Sequence, residues 1–414
     1  MAAPIITRRL VYHISGYDFT MSVQAVHRRF LRELRRFEGT WSVSSSVSPP
    51  VIGTDEAAWD VETNGPNWHV HTRYRFLRWD DVIAADGRKP LWQRVLAGLI
   101  AFFDYIGGGT LWGYLRTNWR YALFFLYPYL LFAALVAIAW FAGSAAGRLV
   151  GSALPGGLVG LAAFLALMHW PARWLLLPQL FDDWAFARTY IRGGEPVLEQ
   201  RLDRVARELG AAAHSGDVDE IIIIGHSLGA VLAIDLIDRA LSFDRSLGTA
   251  GARIALLSVG SSILKIGLHR GARRFHAAVT RVASAPGILW VEYQALTDVM
   301  NFYKTDPVAE MRLTATTHPL IRTVRIKNML DPVIYKRIRR NFFRVHCQFV
   351  SANDRRAPYD FFMLMCGPLT AEQQARSPDG AASAIGIDGA LIAPDQSMAQ
   401  QPAAQAASAP ATQD

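Results

Sequence analysis

A serine between two glycines, directly after four isoleucines, is the part of this 414-residue sequence best placed to do chemistry. Ile221-Ile222-Ile223-Ile224 reads as a strand and Gly225-His226-Ser227-Leu228-Gly229 as a sharp turn. Leu228, Val231, Leu232, Asp235, Leu236 and Arg239 then mix apolar and polar residues at helical spacing. So tight a turn presses its backbone against the neighbouring strand and helix. A side chain at Gly225 or Gly229 would collide there, while the Ser227 hydroxyl stands clear for attack. The bland alternative is a glycine-rich strand-to-helix turn with no chemistry.

At Gly-His-Ser-Leu-Gly the chain resembles the α/β-hydrolase superfamily, in the form common among its lipases and esterases. The resemblance implies a mostly parallel sheet with flanking helices, a Ser…Asp/Glu…His chain order and an oxyanion hole of backbone amides. Arg8 to Ile14 reads as a strand ending in His13-Ile14-Ser15-Gly16-Tyr17. In lipase-like relatives a similar strand and a His/Gly loop supply the second oxyanion amide, which here implies Gly16 or Tyr17 beside Leu228. The familiar His-Gly dipeptide is replaced by His13-Ile14-Ser15-Gly16, which leaves the amide's identity open; a plain turn glycine is the alternative.

The serine needs a base, and the implied chain order puts an acid and then a histidine downstream. Asp298 follows the strand-like run Ile288–Tyr293 by a short loop, where a resembling hydrolase carries its acid. Asp306 is the alternative, and Glu292 belongs to the strand. Downstream histidines are His318 and His346. His346 lies in Phe343-Arg344-Val345-His346-Cys347-Gln348-Phe349, similar to the His-x-x-aromatic pattern of many lipase-like proteins. His318 stands at the entrance of an apparent strand, Leu320 to Ile326, and so points away from the carboxyl edge where sites gather. His226 is too close to the serine's own turn to act as its base. The expected triad is therefore Ser227, Asp298 and His346, an acyl-transfer apparatus without cofactor or metal. His69 and His71 share a strand face in Trp68 to Arg78, with no third ligand in view.

Two apolar segments interrupt this frame. Tyr121 to Phe141 has no charged residue, and Leu154 to Ala172 has only the titratable His169. Each approaches the roughly 20 apolar residues that cross a bilayer. Ala142 to Ala153, rich in Gly, Ala and Ser, reads as their connection, so 118–180 is expected to be a transmembrane helical hairpin with tryptophans and tyrosines at its base. Pro128 and Pro171 lie in the spans. Arg88, Lys89, Arg94, Arg116 and Arg120 precede the hairpin; Arg173, Arg188 and Arg192 follow, and the turn holds only Arg148. The positive-inside bias then places both ends, and the catalytic domain, on the cytoplasmic side of a bacterial inner membrane.

A basic helix from Thr20 to Phe37 suits either a lipid surface or ordinary packing on the sheet, the latter favoured. Pro196 to Ala213 reads as an amphipathic helix, and Arg253 to Val259 as a buried strand. Residues 1–117 and 181–368 are expected to form one α/β-hydrolase domain around the hairpin, and 369–414, rich in Ala, Gln, Ser and Pro, a disordered tail. With two cysteines and a polar start, the chain is expected to work in a reducing compartment; Cys347 reads as core. The net charge of +8 is better matched to anionic headgroups than to nucleic acid. The composite expectation is a membrane-anchored serine hydrolase cleaving lipid-like carboxylic esters. A hydrolase-like scaffold without catalysis and a serine acyltransferase are the alternatives.

Overall fold

The computed structural model describes residues 5–20 and 22–392. Its centre is a nine-stranded sheet: β1 (Arg8–Ile14), β2 (Ser44–Val47), β3 (Val51–Ile52), β4 (Glu56–Gly65), β5 (Trp68–Leu77), β6 (Glu220–His226), β7 (Arg253–Val259), β8 (Ile288–Gln294) and β9 (Leu320–Thr323). The order is β2-β4-β5-β1-β6-β7-β8-β9, with β3 also on β4. β5, β1, β6, β7, β8 and β9 run parallel, and β2, β3 and β4 add an antiparallel margin. The sheet is therefore mixed, where a mostly parallel one was expected. Its polar 44–65 stretch carries little apolar alternation, and β4 meets β5 through a two-residue turn that only antiparallel strands allow.

The four isoleucines explain why β6 is central. Ile221 and Ile223 enter one apolar core, Ile222 and Ile224 the other, as the two-residue strand period requires. A strand buried on both faces belongs in the middle of a layered α/β fold. The first core is covered by α2 (Asp80–Gly87), α3 (Leu91–Gly107), α4 (Thr110–Thr117), the start of α5 (Trp119–Val150), α8 (Leu177–Arg192), α9 (Pro196–His214), α10 (Gly229–Phe243), α11 (Ile263–Gly267) and α12 (Arg273–Ser284). The second lies beneath α1 (Val23–Trp41) and the C-terminal helices.

α1 starts at a Ser22 cap, and its Phe30, Leu34, Phe37 and Trp41 are buried. Its basic side is partly engaged: Arg29 donates to the Cys347 carbonyl (3.1 Å), and Arg36 pairs with Asp354 (2.6 Å). Packing on the sheet is thus what α1 does. β9 stops at Thr323 rather than Ile326, because Ile326 opens a short helix.

The segment expected to be unstructured from 369 is folded as far as 392. Thr370 caps the helix Ala371–Arg376 with a full capping box, and Ala371, Ala375, Ala381 and Ile385 are buried. The cause is a buried ion pair, Arg9–Glu220 (2.9 Å). Arg9 donates to the carbonyls of Gly367 and Leu369 (both 2.7 Å), and Glu220 accepts from the Ala371 amide (2.9 Å). Composition shows none of that. The rest of the expected tail, 393–414, lies outside the described residues.

Among the described residues two helices are long and apolar enough to cross a membrane: α5, and the stretch Ala153–Trp174 formed by α6 (Ala153–His169) and α7 (Pro171–Trp174). The expected connection Ala142–Ala153 is mostly helix. α5 runs to Val150, and the turn is Gly151-Ser152, with Gly151 at φ 67°. The helices touch backbone to backbone. A Cβ at Gly143 would lie 2.7 Å from the Gly156 carbonyl oxygen, and one at Gly156 would lie 2.8 Å from the Gly147 Cα. The first turns of α5 belong to the domain core, since Tyr121, Ala122, Phe125 and Tyr129 are buried with Tyr105, Tyr114 and Trp184. Trp119, Leu123 and Tyr127 are already exposed on the other side of α5, and beyond Leu130 its buried residues are Leu135, Ala139 and Gly143.

Candidate active site

The turn after β6 needs its glycines for the reasons the sequence suggested. A Cβ at Gly225 would fall 2.3 Å from the Ala230 Cα of α10, and one at Gly229 would fall 2.2 Å from the Ile14 carbonyl oxygen of β1. Between them Ser227 adopts φ 55°, a left-handed conformation that costs a non-glycine residue of order 1–3 kcal/mol and tends to mark functional sites. Backbone bonds hold it there: the Ser227 amide donates to Val259 (3.2 Å), and the Ser262 amide donates to the Ser227 carbonyl (3.1 Å).

His346 ends the short helix Phe342–His346, which Asn341 caps. Its Nδ1 lies 2.7 Å from Asp298 Oδ2, and both side chains are buried. The Asp298 Oδ1 accepts from the Met300 amide (2.9 Å). Asn301 ties the loop together, donating to the carbonyls of Asp298 (2.7 Å) and Ala295 (2.9 Å). With Nδ1 engaged by the carboxylate, Nε2 is left with no hydrogen-bond partner among the described residues. A buried pair with one imidazole nitrogen free can orient a general base.

His346 also adjoins the serine's turn. Its ring lies 4.5 Å, centroid to centroid, from that of His226, whose Nε2 donates to the His346 carbonyl (3.3 Å). Burial, with His346 and His13 nearby, holds His226 well below the usual histidine range, so it stays neutral. Gly260, after β7, fits against both layers: a Cβ there would sit 2.7 Å from the Phe349 ring and 3.3 Å from His346 Cε1. No hydrogen bond joins Ser227 to His346; the Ser227 Oγ lies 3.5 Å from the Ser262 Oγ. Such bonds are often long before substrate binds.

The loop after β1 closes the other side. A Cβ at Gly16 would be 2.7 Å from the Ser227 Cβ and 3.2 Å from its Oγ. The amides of Gly16, Tyr17 and Leu228 make no backbone–backbone hydrogen bond among the described residues, as amides awaiting an oxyanion would. The Tyr17 side chain turns elsewhere: its hydroxyl donates to Asp86 (3.0 Å) and its ring packs on Trp79 and Phe186. His13 lies in the core, bonded to the Tyr74 hydroxyl and pushed down to about 3 by burial.

The alternative acid and base pair with each other. His318 Nδ1 bonds to Asp306 Oδ2 at a half-exposed site, and Asp306 also caps the next helix through the amides of Val308 (2.9 Å) and Ala309 (3.2 Å). Glu292 is buried in β8. Ser261 donates to one of its oxygens, the other has no partner among the described residues, and burial pushes it up to about 7. His69 pairs with Glu62 (2.5 Å) at the sheet's margin. Both cysteines are buried and free, their thiols pushed up by burial. A groove of about 870 Å³ runs along the hairpin between Val136 and Phe164; glycines and apolar side chains line it, with Ser144, Arg148 and Ser152 as its polar groups.

Sequence reasoning did not name Gly260, Ser262 or Asn301. Their place at the carboxyl ends of β7 and β8, on the side of the sheet next to β6 and Ser227, was the available signal. Comparison of the chain with models of known families, with curated protein sequences and with solved structures finds no match.

Proposed function

We propose that the chain is a membrane-anchored serine hydrolase of α/β-hydrolase type that cleaves carboxylic esters through an acyl-serine intermediate. The observation that carries this reading is the buried His346–Asp298 pair beside a serine held at φ 55°. Ser227 Oγ attacks the ester carbonyl and its proton passes to His346 Nε2. Asp298 keeps the imidazole in the Nδ1–H form and stabilises the imidazolium. The amides of Leu228 and of Gly16 or Tyr17 receive the oxyanion, the alcohol leaves with the proton from His346, and water repeats the cycle on the acyl-serine. Lipid-like esters are the favoured substrates, since the apolar helices hold this site at a bilayer.

The anchor is the hairpin, with both ends and the catalytic domain on the cytoplasmic side of a bacterial inner membrane. Arg148 stands alone at the turn, while Arg116, Arg120 and Arg173 flank the base. A fluorophosphonate probe tests the chemistry. Labelling of the intact protein, lost in Ser227→Ala, supports an activated serine. No labelling of a folded protein returns the scaffold reading, in which the turn is architecture only. Product analysis with added alcohols then separates hydrolysis from acyl transfer, the other alternative.

A further inference from the structure

α3 and α4 carry their apolar side outward. Trp92, Leu96, Ile100, Phe103 and Ile106 follow one another along α3 at helical spacing and are exposed, Phe103 at 69%. The opposite side holds buried Gly98, Ala101 and Tyr105. A Cβ at Gly98 would lie 2.5 Å from the Phe181 ring, so α3 is pressed onto α8. Only two residues between 91 and 115 are charged, and both turn inward: Arg94 pairs with Asp182 (2.5 Å), and Asp104 with Arg188 (3.2 Å) and Arg192. α4, bent by 71° from α3, extends the surface with Trp112, 75% exposed, and Leu115. For a domain in water this arrangement is inside out.

The surface is continuous with the spans. The Phe102 ring lies 4.2 Å from that of Tyr129, where α5 leaves the core, and the Tyr127 hydroxyl donates to the Leu175 carbonyl (3.3 Å) across the hairpin's base. Trp119, Trp170 and Trp174 are exposed at that base, with Arg116, Arg120 and Arg173 exposed around them. Tryptophan and arginine at that level are the residues of a membrane–water interface.

We propose that α3 and α4 form a second membrane-contacting surface, lying in the headgroup–acyl boundary of the leaflet beside the catalytic domain. The inference rests on the reading that α5 and α6 span that bilayer. The bent pair has the composition of a third crossing, yet Arg94 and Asp104 tie α3 to α8 along its length and keep it with the domain. Lipid fits this face better than a protein does, because the exposed side of α3 offers no polar side chain but Gln93 with which to fix a partner. An enzyme seated at that depth would meet amphiphilic esters without drawing them into water.

The test uses the full chain in vesicles of phosphatidylcholine and phosphatidylglycerol. A polarity-sensitive fluorophore is attached in turn at Phe103→Cys, Trp112→Cys, Leu130→Cys and Ile387→Cys. Leu130 is exposed on the span; Ile387, 82% exposed, lies beside Ser42 on the other side of the sheet. Lipid carrying a nitroxide high on its acyl chain should quench the first three at least about threefold more than the fourth, with iodide doing the reverse. If probes at 103 and 112 behave like the one at 387 while 130 stays in lipid, the interfacial surface is wrong and the spanning hairpin stands. Shielding of 103 and 112 from both quenchers means that protein covers the face, which also overturns the proposal. A probe at 130 in water removes the spanning reading and this inference with it.

Discussion

The His226 and His346 rings lie 4.5 Å apart, and only His346 is paired with a carboxylate. The ring that would carry charge in the proposed turnover therefore rests on one that burial keeps neutral. His13, pushed down to about 3, adds a second neutral buried ring. Unfolded, both histidines take up protons near pH 6.5, before the folded protein does. The stability they contribute is complete above pH 6.5 and lost progressively as pH falls below it. Glu292 and Asp360, both raised by burial, oppose this trend, so the test is the difference between variant and parent: His226→Gln should gain in Tm on the parent as pH falls from 7 to 5. An unchanged slope in thermal unfolding of the variant would contradict the assignment.

Ser227→Ala and His346→Ala should each reduce ester turnover by about 10³-fold or more, and the double variant should be hardly worse than either. Asp298→Asn should lose roughly 10²- to 10⁴-fold by favouring the wrong tautomer. His318→Ala removes only an exposed pair and should stay within about threefold of the parent. Turnover of a soluble ester in detergent checks all five. If the two histidine variants exchanged behaviour, the base would be His318.

At Gly16 a methyl group would meet the Ser227 side chain first, at 2.7 Å, and the His226 carbonyl oxygen next, at 3.4 Å. Gly16→Ala should therefore slow turnover and fluorophosphonate labelling at least about tenfold, at a stability cost of about 1–3 kcal/mol. Parent-like labelling would mean that the loop after β1 stands farther from the serine.

Glu292 titrates the other way. Its folded value, about 7, lies above the unfolded 4.5, so its contribution is present below pH 4.5 and lost as pH rises through 7. Glu292→Gln mimics the protonated form and should gain on the parent as pH rises, approaching about 3 kcal/mol at pH 8. Unfolding curves at pH 5 and pH 8 that shift equally would refute this.

The hairpin should resist alkaline carbonate and high salt and yield to detergent. A cysteine near Arg148 should react with an impermeant maleimide added outside the cell, and one near Arg192 should not. The reverse pattern would put the catalytic domain on the outer side.

What the sequence made legible follows local rules. Strand bounds at Arg8–Ile14 and Arg253–Val259 came from short apolar runs, and the glycines around Ser227 from the geometry of a tight turn. Asp298 and His346, taken from chain order in a resembling family, meet 48 residues apart in sequence. The antiparallel margin and the fold of 371–392 were hidden because distant partners create them: β4 is ordered by β5, and the C-terminal segment by Arg9 and Glu220. Gly260 and Ser262 gain their meaning only when β7 lies beside β6.

Pro128 stands where α5 leaves the domain, between buried Phe125 and Tyr129 on one side and exposed Leu130 on the other. Lacking an N–H, it cannot bond the Phe124 carbonyl, so the rod is softest at that level. Below it, Asn118 and Arg120 donate to the carbonyls of Asn301 (3.3 Å) and Leu296 (3.0 Å), on the loop that holds Asp298. Above it, some 30 Å of helix projects away from the domain. A sway of that long arm would be taken up as bending at the proline instead of being levered onto Asp298. On the proposed reading, the compliance of one residue would insulate the loop of Asp298 from the motion of the membrane hairpin.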